Sequence, residues 1–329
     1  MSDDRDTFNA AVRKQFGDFS FKSINEKPLG NLTGSIRLDV ALGIPFPEGR
    51  IIEIFGNPGA GKTTLSLSVL EQAAKNGKEV QILDQEGKLD AGLVSIFPNL
   101  RKKYVDNKET ALRGDTGEAA FKIAELFLSS FPRSVLVIDS VDALIPEKVQ
   151  EVDVGDPTVG GVARLMSAGC RRLKSVCEKS QSTVIFLNQI RSKIGGYGNP
   201  ETTSGGNALK FYATQRIHLK DQTKGELIED DEKHIVGQNV RFEIVKNGMA
   251  PPFVKGDFPL IYGVGIHASK ELVDIACLIG AIDYDGKMIT DKEGKKRHVK
   301  TFVSMVEADQ ALFTEIYKKV ISEYPETYK

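Results

Sequence analysis

Residues 51–74 read IIEIFGNPGAGKTTLSLSVLEQAA. This stretch opens with an apolar run typical of a buried strand, continues through a glycine-rich loop, and ends in a segment whose apolar residues have helical spacing. A strand, a loop of the form G-x-x-x-x-G-K-T and a helix, in this order, are the context in which that loop binds phosphate. The stretch therefore predicts a nucleotide site at the carboxyl end of a strand.

Each part of this loop has a chemical task. Glycines let backbone N–H groups close around phosphate oxygens, and the helix N-terminus adds the positive end of its dipole. Lys62 is expected to reach the outer phosphates, and the Thr63 hydroxyl is expected to hold Mg²⁺. The residues predicted to bind the nucleotide here are Gly56, Asn57, Pro58, Gly59, Ala60, Gly61, Lys62, Thr63 and Thr64.

Acidic side chains end two further apolar runs. SVLVIDS, residues 134–140, places Asp139 at the end of a predicted strand, where it can organise the hydrated metal through water. VQILDQEG, residues 80–87, ends with Asp84 and Glu86. A carboxylate at such a strand end could polarise the water that attacks the nucleotide, or it could be an ordinary solvated strand-end charge, and spacing alone leaves these two interpretations about even.

Four Val- and Ile-rich runs alternate with segments of helical spacing, which predicts an α/β fold with a largely parallel, twisted sheet between helices. The runs are GRIIEIFG, KEVQILD, SVLVIDS and STVIFLNQ, and the helical segments are residues 63–74, 117–129 and 159–180. Two later runs, TQRIHL at 214–219 and NVRFEIV at 239–245, have no long helix between them. They are expected to extend the sheet in the antiparallel sense.

The two ends of the chain are predicted to form units of their own. The boundaries give three parts, residues 1–29, 30–264 and 265–329. Residues 4–16 suit a helix whose apolar stripe contains Phe8, Val12 and Phe16. This helix either folds back on its own domain or docks on a neighbouring subunit.

The third part is expected to be a small α+β unit. It begins with a helix, continues through the polar turn region DYDGKMITDKEGKKRHVK at residues 283–300, and ends with a helix from about Val306, with SMVE as its capping box. Seven basic or histidine side chains surround the turn: Lys287, Lys292, Lys295, Lys296, Arg297, His298 and Lys300. They suit contact with phosphates, or they form an ordinary solvated turn.

Composition excludes several classes of protein. The 329 residues are 40% apolar and 27% charged, and no apolar run reaches the length of a membrane span, so we expect a soluble globular chain. The balance of 44 Lys and Arg against 45 Asp and Glu leaves no overall basic field, so any contact with nucleic acid must be local. Cys170, Cys177 and Cys277 form no C-x-x-C pair, and no secretion signal opens the sequence, which predicts a cytoplasmic location.

A second glycine-rich stretch, SKIGGYGNPETTSGGNALKF at residues 192–211, follows the run IFLNQIR. With LDQEGKLD, VIDSVDALIP and the phosphate loop, it makes the sequence resemble the bacterial RecA recombinase family over nearly its whole length. NQIR followed by GNPETTSGGNALKF is far more specific than the phosphate loop, which many unrelated ATPases share. The resemblance implies an ATP-dependent homologous recombinase of DNA repair. Such a protein forms helical filaments on single-stranded DNA, pairs it with homologous duplex and exchanges strands while hydrolysing ATP.

The resemblance also implies particular roles for residues around the nucleotide. By resemblance, we expect Glu86 to match the glutamate that activates water and Asp90 to match the residue that contacts adenine. Gln189 matches the sensor that touches the terminal phosphate and relays its presence to the loop that follows. Lys246 matches a lysine that reaches the ATP of the neighbouring subunit. The expected cofactors are ATP and Mg²⁺.

Two loops are implied to hold single-stranded DNA, at about residues 152–164 and 190–207. The residues expected to contact DNA are Val159, Arg164, Arg171, Arg172, Arg191, Lys193, Ile194, Tyr197, Gly205, Gly206 and Asn207. The alternative for Arg172, and less so for Arg171, is an ordinary solvated helix face, and Tyr197 either stacks on a base or covers a neighbouring subunit. The residues implied at the subunit interface are Phe8, Val12, Phe16 and Phe211.

The chain departs from the family pattern at three places. Leu93 stands where an aromatic residue usually covers the adenine, and Gly248 stands where a second lysine usually reaches the neighbour's ATP. SEYPETYK closes the sequence without a long acidic tail, which suggests a divergent or phage-encoded member of the family acting in a bacterial cytoplasm. By resemblance, the basic turn at 283–300 guides duplex DNA. Single-strand binding proteins and mediator proteins are possible further partners.

Two other functions share the ATPase core. A ring helicase or translocase usually carries a further amino-terminal domain and lacks NPETTSGGNALKF. If the protein were a regulatory assembly ATPase that binds no DNA, both glycine-rich DNA loops would have no explained function. The three functions predict different assemblies: a recombinase forms filaments on DNA, a ring helicase forms closed rings, and a regulatory ATPase does not respond to DNA.

Overall fold

The structure is a computed structural model that describes residues 2–16, 27–150, 160–192, 201–220, 227–230 and 232–327. The α-helices are α1 (Ser2–Phe16), α2 (Ile36–Leu42), α3 (Lys62–Lys75), α4 (Ala91–Ser95), α5 (Pro98–Leu100), α6 (Gly117–Ser130), α7 (Glu147–Gln150), α8 (Gly161–Ser180), α9 (Ala208–Tyr212), α10 (Ala268–Leu278), α11 (Val299–Ala308) and α12 (Gln310–Thr327). A π-helix spans Arg101–Asp106, and a 3-10 turn spans Val141–Ala143. The strands are β1 (Ile51–Gly56), β2 (Val80–Asp84), β3 (Val135–Asp139), β4 (Thr183–Ser192), β5 (Glu201–Thr203), β6 (Gln215–Leu219), β7 (Leu227–Glu229), β8 (Ile235–Asn247), β9 (Lys255–Ile261), β10 (Gly265–Ile266), β11 (Asp283–Tyr284), β12 (Met288–Thr290) and β13 (Lys296–His298).

A large twisted sheet organises the described part of the chain, in the strand order β10-β9-β8-β6-β1-β4-β3-β2. The five strands from β6 to β2 in this order run parallel, and β8, β9 and β10 continue the sheet antiparallel. This confirms the predicted α/β fold. β1 is buried at all six positions because a central parallel strand is covered by helices on both faces.

The expectation that residues 214–219 pair antiparallel is wrong. β6 pairs parallel with β1, with Ile52 opposite Gln215. The chain leaves β4, passes through β5 and α9, and returns to the starting edge of the sheet before β6 begins. A parallel connection needs such a crossover, and the segment between β4 and β6 is long enough to supply one without a long helix. β8 does pair antiparallel with β6, as expected.

Two apolar cores lie on the two faces of this sheet. One packs α2 and α3 on the sheet around Phe46, Leu65 and Phe242. The other packs α6 and α8 on it around Phe121 and Phe186. No helix among the described residues is both long and apolar enough to cross a membrane.

The last part of the chain packs around a third core, to which Ile36 and Val40 of α2 also contribute, and it has a small sheet in the order β11-β12-β13. The predicted helix start near Val306 is wrong, because α11 already begins at Val299. Ser304 lies inside α11, where its hydroxyl donates to the Lys300 carbonyl at 3.2 Å instead of capping. Asp309 makes the cap one turn later, since its carboxylate accepts from the N–H groups of Ala311 and Leu312 at 2.9 and 3.1 Å and thereby starts α12.

The amino-terminal helix forms as predicted. Phe8 is 64% exposed, Val12 is half-buried, and neither belongs to any of the three cores. The side chain of Phe16 lies outside the described residues. The exposed Phe8 favours the second alternative, in which the helix docks on a neighbouring subunit.

A buried carboxylate joins the last unit to the sheet domain. Glu271 on α10 is fully buried, and it accepts from the Ser35 hydroxyl and the Ile36 N–H, both at 2.8 Å, and from the Arg37 N–H at 3.1 Å. These donors belong to the first turn of α2, whose N–H groups need acceptors. Asp39 lies beside it, accepts from the Thr33 N–H at 2.9 Å, and has its pKa raised by burial to about 8.

Because of Asp39, the free energy of unfolding is expected to fall as the pH rises. Its folded-state pKa lies above the ordinary value of 3.8, so its contribution to stability is full below about pH 4 and is lost as the pH rises through about 8. We predict that the unfolding midpoint of Asp39→Asn falls less between about pH 5 and about pH 8.5 than that of the wild type. Thermal unfolding at a series of pH values checks this, with the exposed Asp283→Asn as a control that keeps the wild-type slope. An Asp39→Asn profile with the wild-type slope would contradict the assignment.

Candidate functional site

The candidate site lies where the parallel strands end. Strand register sets Gly56 of β1 opposite Gln189 of β4, and Asp84 of β2 opposite Asp139 of β3. The phosphate loop, the two strand-end acids and the start of the second glycine-rich loop therefore meet at one edge of the sheet. Ligands of open α/β sheets bind at this edge.

Glycine is required at several positions of the phosphate loop. Gly59 and Gly61 have φ of 80° and 90°, in the left-handed region that other residues avoid. A Cβ at Gly56 would lie 2.3 Å from the Leu219 carbonyl oxygen on β6. Lys62, the first residue of α3, folds over the loop and donates to the carbonyls of Gly56 and Asn57 at 3.0 and 2.8 Å. Burial lowers its pKa, and Asp139 and Glu86 partly oppose that effect.

Thr63 and Asp139 form the oxygen pair expected for a metal. The Thr63 hydroxyl donates to Asp139 Oδ2 at 3.1 Å. Burial, together with the negative charge of Glu86, raises the pKa of Asp139 to about 6. A cation beside these oxygens would relieve the desolvation and the repulsion.

Glu86 is held at the centre of the site by donors from three segments. The N–H groups of Gln85 and Glu86 bond to the Asp139 carbonyl at 2.7 and 3.1 Å, which fixes the end of β2 against β3. Glu86 Oε1 accepts from the Ser140 hydroxyl and, at 3.0 Å, from the side-chain amide of Gln189. Lys88 Nζ lies 2.6 Å from Oε2.

These contacts set the charge of Glu86. Burial would raise its pKa, but the hydrogen bonds from Lys88 and Ser140 outweigh burial and hold the pKa below its ordinary value. Glu86 is therefore ionised at neutral pH and can accept a proton.

Asp84 has a different task. Its carboxylate accepts from the backbone N–H groups of Gly87 and Leu89 at 2.8 and 3.1 Å and closes the turn after β2. An acid committed to the backbone is poorly placed to polarise water, so of the two strand-end acids the geometry favours Glu86. Asp90, the expected adenine contact, caps α4 by accepting from the Leu93 N–H at 2.9 Å.

Lys246 contacts the short helix that carries Phe211. Its ammonium donates to the carbonyls of Lys210 and Phe211 at 2.8 and 3.0 Å, at the end of α9. Phe211 is 76% exposed. Two residues predicted to face a neighbouring subunit are thus held together on one surface.

The second loop has a stem in which β4 and β5 pair antiparallel, with Arg191 opposite Thr202. Asp142, on the turn after β3, binds this stem. Its Oδ1 accepts from Arg191 Nη2 at 2.6 Å and from the Ser204 hydroxyl at 2.5 Å. Asn188 donates to the Ser204 carbonyl at 3.1 Å and to the buried Glu53 at 2.8 Å, which ties the stem to β1.

Gly205 and Gly206 have a structural requirement of their own. Their φ values are 78° and 70°, and a Cβ on them would lie 2.9 Å from Met166 and 3.0 Å from Ala163 on α8. The ends of the two predicted DNA loops are therefore packed together. Asn207 precedes α9, and its carbonyl accepts from the Phe211 N–H at 3.2 Å.

The arginines of α8 have separate surroundings. Arg164 is exposed in the first turn of the helix. Arg171 Nε lies 3.5 Å from the Tyr212 hydroxyl, and Arg172 pairs with Glu125 of α6 at 2.7 Å. The pairing of Arg172 favours the solvated helix face that was its alternative. The predicted DNA contacts Val159, Lys193, Ile194 and Tyr197 lie outside the described residues.

Four residues of the site were not predicted: Ser140, Lys88, Asp142 and Ser204. Ser140 and Asp142 lie one and three residues after the strand-end Asp139, so the sequence already showed a hydroxyl and an acid in that turn. Lys88 and Ser204 carry no such signal, because each depends on which turn the backbone makes.

Comparison with known proteins decides the family. A family model described as the RecA N-terminal domain matches residues 7–267. The chain belongs to the RecA family. Protein RecA 2 of Myxococcus xanthus is 43% identical over 286 residues, covering 84% of this chain and 77% of that protein. Protein RecA of Bifidobacterium breve is 40% identical over 331 residues, covering 97% and 81%, and that of Wolinella succinogenes is 38% identical over 322 residues, covering 94% and 88%.

Membership of the RecA family confirms the resemblance drawn from NQIR and GNPETTSGGNALKF. The chain is a recombinase of homologous recombination and DNA repair. It binds nucleotide, binds DNA and associates with itself.

Proposed function

We propose that the protein is a DNA-dependent ATPase that polymerises on single-stranded DNA, pairs it with homologous duplex and drives strand exchange. The observation that carries the proposal is the bond between Gln189 and Glu86 at 3.0 Å. Gln189 directly precedes the paired stem of the second glycine-rich loop, and Glu86 accepts from Ser140, which follows β3. A phosphate that displaced this bond would act on both elements at once.

ATP and Mg²⁺ suit the residues present. Lys62 and the loop from Gly56 to Gly61 would hold the phosphates, and Thr63 would ligate Mg²⁺, with Asp139 acting through water. The electrostatics of the site support this fit. Asp139 has a raised pKa beside the ionised Glu86, as expected for a carboxylate that functions next to a bound cation. When bound, Mg²⁺ supplies electrostatic stabilisation of the phosphates.

Hydrolysis would use Glu86 as the base. Its Oε1 accepts from Ser140 and Gln189, which fixes the carboxylate, and its lowered pKa keeps it in the ionised form that can take a proton from water. Lys88 is close enough to screen its charge. Asp90 is proposed to contact adenine, and Lys246 to reach the ATP of the neighbouring subunit.

Assembly would use three parts of the chain. We assign residues 1–29 to polymerisation, 30–264 to the ATPase core and 265–329 to a unit that guides duplex DNA. The exposed Phe8 and Phe211 support the interface role. Single-strand binding and mediator proteins are proposed partners, and the free thiols of Cys170, Cys177 and Cys277 suit the cytoplasm.

The basic turn of the last unit is partly neutralised within the protein. Lys292 pairs with Glu315, Lys296 with Asp285 and Arg297 with Asp291. A duplex would have to compete with these carboxylates, so we assign this unit a weak contribution to duplex binding.

Electron microscopy with a non-hydrolysable ATP analogue and single-stranded DNA tests the proposed function. We expect long helical filaments that require both ligands, because the interface residues and both loops then act together. Closed rings would instead support a helicase or translocase. Assembly that does not depend on DNA would support a regulatory ATPase.

Glu86→Gln is expected to lose DNA-stimulated ATP hydrolysis by at least about a hundredfold while binding of ATP and DNA persists, because the amide cannot accept the proton. Phosphate release and analogue binding measure the two effects. Asp84→Asn is the matched control: it retains one acceptor for the turn and should keep most of the turnover. If Asp84→Asn lost ATP hydrolysis while Glu86→Gln retained it, Asp84 rather than Glu86 would be the catalytic base.

A further inference from the structure

Asp142 brings together three parts of the second loop's stem. Its Oδ1 accepts from Arg191 Nε at 3.1 Å, from Arg191 Nη2 at 2.6 Å and from the Ser204 hydroxyl at 2.5 Å. Its Oδ2 accepts from the Gln189 N–H at 3.3 Å. One carboxylate therefore binds the outgoing strand, the returning strand and the residue that touches Glu86.

The two partners of this ion pair differ in exposure. The Asp142 side chain is 9% exposed, whereas the Arg191 side chain is 61% exposed. Asp142 is thus a fixed part of the protein, and the guanidinium is the partner that an incoming molecule can reach. Nε and Nη2 of Arg191 both donate to Asp142 Oδ1, and an oxygen of a phosphate could accept from the same two donors.

We propose that Asp142 is a latch for Arg191: it occupies the guanidinium in the absence of DNA and releases it to a backbone phosphate. This inference rests on the proposed function, in which Arg191 contacts single-stranded DNA. Asp142 acts through Arg191 and is a positioning residue rather than a direct DNA contact.

The latch opposes DNA binding in two ways. A phosphate must displace a charge-assisted hydrogen bond before Arg191 can bind it. The released carboxylate then remains near the phosphate and repels it, because Ser204 and the Gln189 N–H still hold Asp142 in place. The repulsion is Coulombic and weakens as salt is added.

The latch also lies within reach of the nucleotide site. Gln189 donates its backbone N–H to Asp142 and its side-chain amide to Glu86. Asp142 follows Asp139 by three residues in the turn after β3. A shift of Gln189 would therefore disturb the surroundings of the Arg191 pair.

Asp142→Asn tests the latch, because it keeps the shape and an acceptor for the Gln189 N–H while it removes the charge. Fluorescence anisotropy of a labelled oligothymidylate, with an ATP analogue present, should show affinity that is roughly five- to twentyfold higher than that of the wild type at low salt. The ratio should shrink towards one at high salt. In an Arg191→Gln background the same substitution should give almost no gain.

The matched control is Glu125→Gln, which removes the charge from a similar pair with Arg172 at 2.7 Å and should leave DNA affinity unchanged. Asp142→Ala serves as a second variant, and analogue binding with the unfolding midpoint confirms that each variant is folded. Equal or lower DNA affinity in both Asp142 variants would overturn the latch, and so would a gain that persists in Arg191→Gln. A wild type that fails to bind the oligonucleotide would instead refute the proposed function.

Discussion

The parallel pairing of β1 with β4 is the constraint on which the site depends. Its register sets Gly56, the first glycine of the phosphate loop, opposite Gln189, which directly precedes the second loop's stem. A slip of one residue would turn every side chain of β4 to the other face and remove Gln189 from Glu86. The two functional elements are thus neighbours through a rigid strand pair. A conformational change at the phosphate loop can therefore reach the second loop directly through β1 and β4.

Carboxylates organise this edge of the sheet, and each binds donors from a neighbouring segment. Glu53 is fully buried and joins Arg216 of β6 to Asn188 of β4. Glu86 joins Ser140 to Gln189, and Asp142 joins the two strands of the stem. Removing one partner of a buried charged pair is costly, because the other is left without compensation. The network therefore holds the strand ends in one arrangement, and a ligand that replaced one of these bonds would disturb it.

The sequence predicted the elements whose signal is local. Strands β1 to β4 and helices α3, α6 and α8 follow from apolar periodicity, and the phosphate loop follows from its glycines and lysine. The parallel sense of β6 was missed because the crossover before it contains no long helix. The start of α11 was misplaced because SMVE has capping residues inside a helix, where tertiary packing overrides them. Lys88 and Ser204 could not be found, since their contacts depend on turn geometry.

We infer that Gln189 couples the nucleotide site to the DNA loop. The most direct measurement is the ratio of single-stranded DNA dissociation constants without and with a non-hydrolysable ATP analogue, in the wild type and in Gln189→Ala. We expect the analogue to tighten DNA binding by about tenfold or more in the wild type. In Gln189→Ala the ratio should approach one, while analogue binding and nucleotide-free DNA binding stay within about twofold of the wild type. A variant that keeps the wild-type ratio would contradict this coupling.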